Sequence, residues 1–161
     1  MYSFDDLLYT ANIMKNTLEE SILNLLHQEY DKHFILESRI KSVDKIKLKY
    51  KLQIKKGLSG NANGLVPDII GFRISVDSED EVDKIKKIFC QNWIGHITHS
   101  FLLFDYIRNS KPSGFRAITI QYRVPFFSDE IPFEIQIMTE QMRDWTNKTH
   151  LEYDEEKYKG L

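Results

Sequence analysis

Cysteine is nearly absent from this sequence: Cys90 is the only one among 161 residues, which excludes an internal disulfide and any cysteine-based zinc cage. A helical pattern surrounds Cys90 and supplies no orienting partner, so it reads as a buried apolar thiol rather than a nucleophile. No stretch approaches the roughly eighteen consecutive apolar residues of a membrane span, and no charged-then-apolar leader with a small-residue cleavage site opens the chain. The expectation is a cytoplasmic protein with no membrane partner. Net charge is also scarce, with 22 Lys and Arg against 24 Asp and Glu, so the overall field gives no argument for nucleic acid. Repeats and low-complexity tracts are missing, which leaves a single domain over residues 1–161. The turn-rich run from Gly57 to Gly64, closed by Pro67, is followed by no Gly-Lys-Ser/Thr and makes no dinucleotide fingerprint. His96 and His99 form an H-x-x-H without a third ligand and read as surface or loop; no Ser-His-Asp set is legible.

What is present is enough apolar residue, 42%, for a self-sufficient core. Charge is unevenly placed. Lys41, Lys45, Lys47, Lys49, Lys51, Lys55 and Lys56 make a basic stripe, and Asp77, Glu79, Asp80, Glu81 and Asp83 an acidic cluster. Leu7, Leu8, Ala11, Met14, Leu18, Ile22, Leu25 and Leu26 predict a long opening helix, and a second helix is expected from about Ile35 to Lys55. Ile69 to Val76 reads as a strand. Ser78 with Glu81 forms a capping box for a helix whose buried face is Val82, Ile85, Ile88, Phe89 and Trp93. Strands are expected at about Ile97–Ile107, Phe115–Val124 and Pro132–Met138, and a last helix at about Glu140–Lys157. The order ααβαβββα implies an α/β (α+β) fold with a mixed sheet flanked by helices.

Side chains two apart on a strand share a face of the sheet. Glu134 and Gln136 therefore oppose Phe133, Ile135 and Ile137. Thr119, Gln121 and Arg123 oppose Ile118, Ile120, Tyr122 and Val124, and Arg73 with Ser75 opposes Phe72, Ile74 and Val76. Two readings of this pattern stand. One is an antiparallel sheet with a solvated face. The other is a concave site in which Asp68 and Glu134 hold Mg²⁺ while Arg73 and the lysine stripe receive phosphates, because Mg²⁺ needs only one or two carboxylates beside phosphates and water.

Four segments, in order, carry a family resemblance: Ser38-Arg-Ile-Lys-Ser42; Asp68-Ile-Ile-Gly-Phe-Arg-Ile74; Asp105-Tyr-Ile with Lys111-Pro-Ser-Gly-Phe-Arg116; and Glu134-Ile-Gln-Ile137. Together they resemble the synthetase domain of RelA/SpoT-like enzymes, which make the alarmones ppGpp and pppGpp. The resemblance spans about residues 36 to 150. It implies a nucleotidyltransferase-like fold whose mixed, mainly antiparallel sheet has about five strands. It also implies transfer of the β,γ-pyrophosphate of ATP to the ribose 3′-hydroxyl of a guanosine nucleotide, GDP or GTP. By the same resemblance Asp68 and Glu134 are the metal-binding pair, with Glu134 also the candidate base. Arg39, Lys41, Lys45 and Lys49 grip the triphosphate, and Arg73 stacks on the adenine. Lys111, Gly114, Phe115, Gln136 and His150 are placed on the acceptor side, where Phe115 replaces the family's stacking tyrosine. Read without the resemblance, Phe115 is equally a core residue and the lysines a solvated helix face.

The sequence departs from the family pattern at Thr119, which stands for a histidine, at Met138 for an arginine, at Phe104 for a lysine and at Thr149 for a glutamate. All four changes are expected in the acceptor half. Two alternatives follow: a toxin-type member that modifies the 3′ end of tRNA and has an antitoxin partner, or a nucleotide-binding domain that has lost turnover. The expected assembly is a monomer or dimer rather than a tetramer, and no alarmone hydrolase activity is expected.

Overall fold

The computed structural model describes the chain over residues 3–92, 101–126 and 129–161. Helix α1 (Phe4–Glu29) is capped by Ser3, whose side chain accepts from the Asp6 amide, and it buries Leu7, Ala11, Leu18, Ile22 and Leu26 as the apolar spacing requires. Strand β1 (Ile35–Ile40) and helix α2 (Val43–Lys55) then occupy the stretch expected to be one helix. This is the main correction to the sequence reading. Ile35, Leu36 and Ile40 lie on a half-buried edge strand, so their spacing carries no clean alternation, and pairing with the next strand decides their conformation. Ser42 marks the true start of α2 by accepting from the Lys45 amide at 3.3 Å. A one-turn helix, α3 (Ala62–Leu65), lies at the end of the turn-rich segment.

Strand β2 (Ile70–Val76) leads to helix α4 (Glu79–Asn92), where Ser78 accepts from the Glu81 amide at 3.4 Å. The Glu81 carboxylate does not close the capping box. It accepts from Tyr30 at 2.7 Å and from Lys32 and Lys84 at 2.9 Å each, tying α1 to α4. Val82, Ile85 and Phe89 are buried as expected, whereas Trp93, His96, Ile97 and His99 lie outside the described residues. Strands β3 (Phe101–Asp105), β4 (Ile118–Phe126) and β5 (Asp129–Thr139) and helix α5 (Glu140–Lys157) complete the chain.

The five strands form one sheet in the order β1-β2-β5-β4-β3, antiparallel except for the parallel pair β2 and β5. The expected mixed, mainly antiparallel sheet flanked by helices is observed. Pro132 precedes the β5 residues that pair with β2, so its missing amide donor removes no bond of that parallel ladder. Phe72, Ile74, Ile118, Ile120, Phe133, Ile135 and Ile137 form the buried apolar face, with Tyr122 stacked on Phe133 at 4.9 Å. On this side Ser38 of β1 reaches Glu19 of α1. On the other side Glu37 of β1 is gripped by Arg143 of α5 at 2.5 and 3.1 Å, so the polar face of the sheet looks towards the last helix.

Candidate active site

A cavity of about 730 Å³ opens along the polar face of the sheet, lined by residues of α2, α5 and the β3–β4 connection. Its cationic part follows from local structure. Arg39 is near the end of β1, Lys41 follows that strand, and Lys45 and Lys49 are one turn apart on α2. All four line the cavity, and three converge on Asp68 just before β2. Lys49 Nζ donates to Asp68 Oδ1 at 2.7 Å, while Lys41 Nζ and Arg39 Nη2 lie 3.1 and 3.5 Å from Oδ2. Burial works to raise the Asp68 pKa, but the Lys49 and Lys41 charges outweigh it and hold the carboxyl well below the usual range. Lys41 is pulled down by its own burial, which the Asp68 charge only partly offsets.

Glu134 lines the same cavity in a different setting. Its Oε2 accepts from Gln121 at 3.3 Å and its Oε1 from Gln136 at 3.1 Å, so two neutral amides orient it. The register explains the meeting: Glu134 is opposite Gln121 on β4 and Gly71 on β2, and Gln136 is opposite Arg73. Arg73 Nε donates to Gln136 at 3.2 Å and Nη1 to Asn147 of α5 at 3.0 Å. A polar ladder thus crosses β2, β5 and β4, as the alternation predicts. The two carboxylates share one cavity on one side of the sheet.

The β3–β4 connection supplies the aromatic part. Lys111 Nζ lies over the Tyr106 ring at 4.7 Å and the Phe115 ring at 5.7 Å, and burial pulls the Lys111 pKa down. Phe104 stacks on Tyr106, with centroids 5.6 Å apart and planes 2° from parallel. Gly114 does not line the cavity. It has φ +89, and a Cβ built there meets Trp145 Cζ2 at 2.9 Å, so its role is to let the connection turn against α5.

Helix α5 forms the remaining wall with Trp145, Thr149, His150, Asp154 and Lys157, spaced as one helical face. Asp154 accepts from Lys45 at 2.7 Å and lies 3.2 Å from His150 Nε2. Burial lowers the His150 pKa below its usual value and pushes the Lys157 ammonium down to about 7. Sequence reasoning assigned no role to Tyr106, Trp145, Asp154 or Lys157. The three- and four-residue spacing of 146, 150, 154 and 157 is the signal that could have found the last two. Of the four departures from the family pattern, Thr119 and Thr149 line the cavity, Met138 is fully buried and Phe104 supports Tyr106.

The arrangement has the donors for a hard divalent cation. Two carboxylates, one in the turn before β2 and one on β5, face one cavity, and among the described residues no group of three His, Cys, Asp or Glu side chains forms a closed metal cage. Such a donor set suits a metal that takes the rest of its shell from water and phosphate oxygens.

The family described as a region found in RelA/SpoT proteins matches residues 38–158. The chain belongs to the RelA/SpoT family. It is thereby homologous to the family's ATP-dependent pyrophosphotransferases. Solved structures agree on the fold. The small alarmone synthetase 1 from Bacillus subtilis is 22% identical, with TM-score 0.67 and 96% of this chain and 79% of that one covered. For the small alarmone synthetase 2 of the same organism the values are 24%, 0.65, 94% and 79%. A GTP pyrophosphokinase family protein from Streptococcus pneumoniae gives 23%, 0.65, 94% and 75%. Among curated proteins no sequence matches this chain significantly. No helix among the described residues of this RelA/SpoT-family chain is long and apolar enough to cross a membrane.

Proposed function

We propose that this chain transfers the β,γ-pyrophosphate of ATP to the ribose 3′-hydroxyl of a guanosine nucleotide, releasing AMP. One observation carries the reading: two carboxylates share a cavity, Asp68 paired with three cations and Glu134 oriented by two neutral amides. A carboxylate paired with cations suits a charge-holding role, and one within reach of a hydroxyl and held by neutral donors suits proton transfer. Related structures support nucleotide chemistry, since the Bacillus subtilis small alarmone synthetase 1 has been solved with its product pppGpp and with AMPCPP.

In this reading Arg39, Lys41, Lys45 and Lys49 bind the triphosphate and neutralise charge that builds on its oxygens. Arg73, clamped by Gln136 and Asn147, presents its guanidinium plane for stacking on adenine. Lys111 and Phe115 hold the acceptor, the ring by stacking and the ammonium by charge. Glu134 takes the proton of the attacking hydroxyl, and Gln121 and Gln136 keep its carboxylate aimed. Asp68 and Glu134 would hold Mg²⁺, which when bound offsets phosphate charge. Positioning and charge neutralisation do most of the work, with no covalent intermediate on the protein.

The decisive assay incubates purified protein with ATP labelled at the β-phosphate, Mg²⁺, and GDP or GTP. Label on the guanosine nucleotide with matching AMP release is expected. Absence of both would refute the guanosine acceptor. A second acceptor, the 3′ end of tRNA, is favoured by a specific feature: the Thr119 hydroxyl is buried on the cavity wall without a hydrogen-bond partner among the described residues, where the family pattern has an ionisable histidine. A neutral hydroxyl there lowers the positive charge available to a terminal phosphate. Label appearing on tRNA instead of free nucleotide would establish this second acceptor.

A further inference from the structure

Asn147 of α5 is exposed and does not line the cavity, yet its Oδ1 accepts from Arg73 Nη1 at 3.0 Å. Two further hydrogen bonds lead from Arg73 towards the reacting side: its Nε donates to Gln136 Oε1 at 3.2 Å, and Gln136 Nε2 donates to Glu134 Oε1 at 3.1 Å. We infer that Asn147 is a positioning residue, and that the run from Asn147 through Arg73 and Gln136 to Glu134 couples the donor's adenine site to the carboxylate that takes the proton. The inference rests on the roles proposed above for Arg73 and Glu134. It adds a residue outside the four motifs and a coupling between two parts of the site.

The argument is one of hydrogen-bond sense. A guanidinium only donates and a carboxylate only accepts, so a group that bridges them must accept on one side and donate on the other. A primary amide does both from separate atoms, and only one of its two orientations fits. Turned over, the Gln136 NH₂ would meet the Arg73 N–H and its oxygen would meet the Glu134 carboxylate. Arg73 therefore sets the orientation of Gln136, and Gln136 that of Glu134. The register provides the path: Gln136 is opposite Arg73 and Glu134 opposite Gly71 across the parallel pair, and the two β5 side chains share one face. Glu37, whose charge also acts on Arg73, is taken up by Arg143, which leaves the Arg73 guanidinium held by two neutral amides.

A consequence distinguishes this role from a structural one. Without Asn147 the guanidinium can turn about its remaining bond, and the stacking plane and the donor to Gln136 move together. An anchor for adenine stacking alone would change donor binding and have no effect once the donor is saturating. An anchor that also aims Glu134 changes turnover at saturation, because misplacing a reacting group by about 1 Å costs on the order of 100-fold.

The test is a double-mutant cycle of Asn147→Ala and Gln136→Leu, read as kcat for AMP release at saturating ATP, Mg²⁺ and acceptor, beside AMPCPP affinity by calorimetry. Asn147→Ala should lower kcat about tenfold and weaken AMPCPP binding several-fold. In the Gln136→Leu background, where the run is already cut, Asn147→Ala should weaken AMPCPP binding again but leave kcat at the Gln136→Leu value. Asn147→Asp keeps an oxygen for Nη1 and should retain most of the wild-type kcat. This Ala-against-Asp comparison decides alone if Gln136→Leu turns over too slowly to measure, and thermal melts show that each variant is folded. An unchanged kcat in Asn147→Ala, an undiminished loss in the Gln136→Leu background, or a loss in Asn147→Asp equal to that in Asn147→Ala would overturn the coupling while leaving the proposed reaction standing. A wild type that releases no AMP with GDP, GTP or tRNA as acceptor would overturn both.

Discussion

Lys49 Nζ and Asp68 Oδ1 are 2.7 Å apart, and the two groups come from different elements, the lysine from α2 and the carboxylate from the chain entering β2. That ion pair joins helix α2 to the turn entering β2, so the proposed phosphate-binding and metal-binding groups depend on the same contact.

Asp68→Asn should lower AMP release by at least about 100-fold, the scale of removing one preorganised charge at a reacting centre. It should also lower the melting temperature, because Lys41 is left buried with a neutral partner. Glu134→Gln should lose comparable activity with a smaller loss of stability, since its hydrogen bonds are to the neutral amides of Gln121 and Gln136 and it supports the Lys111 and Arg73 charges only at longer range. Melting curves beside turnover assays separate the two. Equal destabilisation by both substitutions would argue against this division.

Thr119→Val removes a buried hydroxyl that has no partner among the described residues and keeps the shape of the side chain. Stability should be unchanged or slightly higher, by up to about 1 kcal/mol. If the hydroxyl serves the acceptor, KM for the acceptor should rise several-fold while KM for ATP stays constant. A shift confined to ATP would refute that placement.

Gly114→Ala places a methyl group 2.9 Å from Trp145 Cζ2 at a residue whose φ is +89. The left-handed backbone alone costs about 1 kcal/mol, and the contact with the ring adds to it. The connection bearing Lys111 and Phe115 must then move, so a lower melting temperature with a raised acceptor KM is expected.

Glu81 is held down to a pKa of about 2 by hydrogen bonds from Lys32, Lys84 and Tyr30. A carboxyl depressed on folding stabilises the fold above its unfolded pKa, and the contribution disappears as pH falls through the folded value. Melting temperature should therefore decline between about pH 4.5 and 2, and Glu81→Gln should flatten that part of the profile. An unchanged acid limb would show that the cluster does not link α1 to α4 energetically.

Much of the site is legible before folding because strand alternation is local. Arg73, Thr119, Gln121, Glu134 and Gln136 fall on the polar face by parity alone, and the opposite face is as apolar as the alternation predicts. Helix α1 is legible for the same reason, through its long apolar stripe. Strand β1 is not, because an edge strand buried only in part leaves a weak pattern that a helix fits as well. Arg39 and Lys41 consequently read as parts of one helix from about Ile35 to Lys55, whereas the structure puts them at a strand end and a turn beside Asp68.

By itself the sequence determined which residues share a face, where α1 and α5 run, and that the chain carries the RelA/SpoT motifs, since each depends on neighbours a few positions apart. Only the tertiary structure decided that β2 lies parallel beside β5, bringing Asp68 and Glu134 to one cavity, and that α5 returns Asp154 and Lys157 to the α2 lysines. The physical reason is that pairing of distant segments depends on burial and charge compensation summed over the whole core, and no local period encodes that sum.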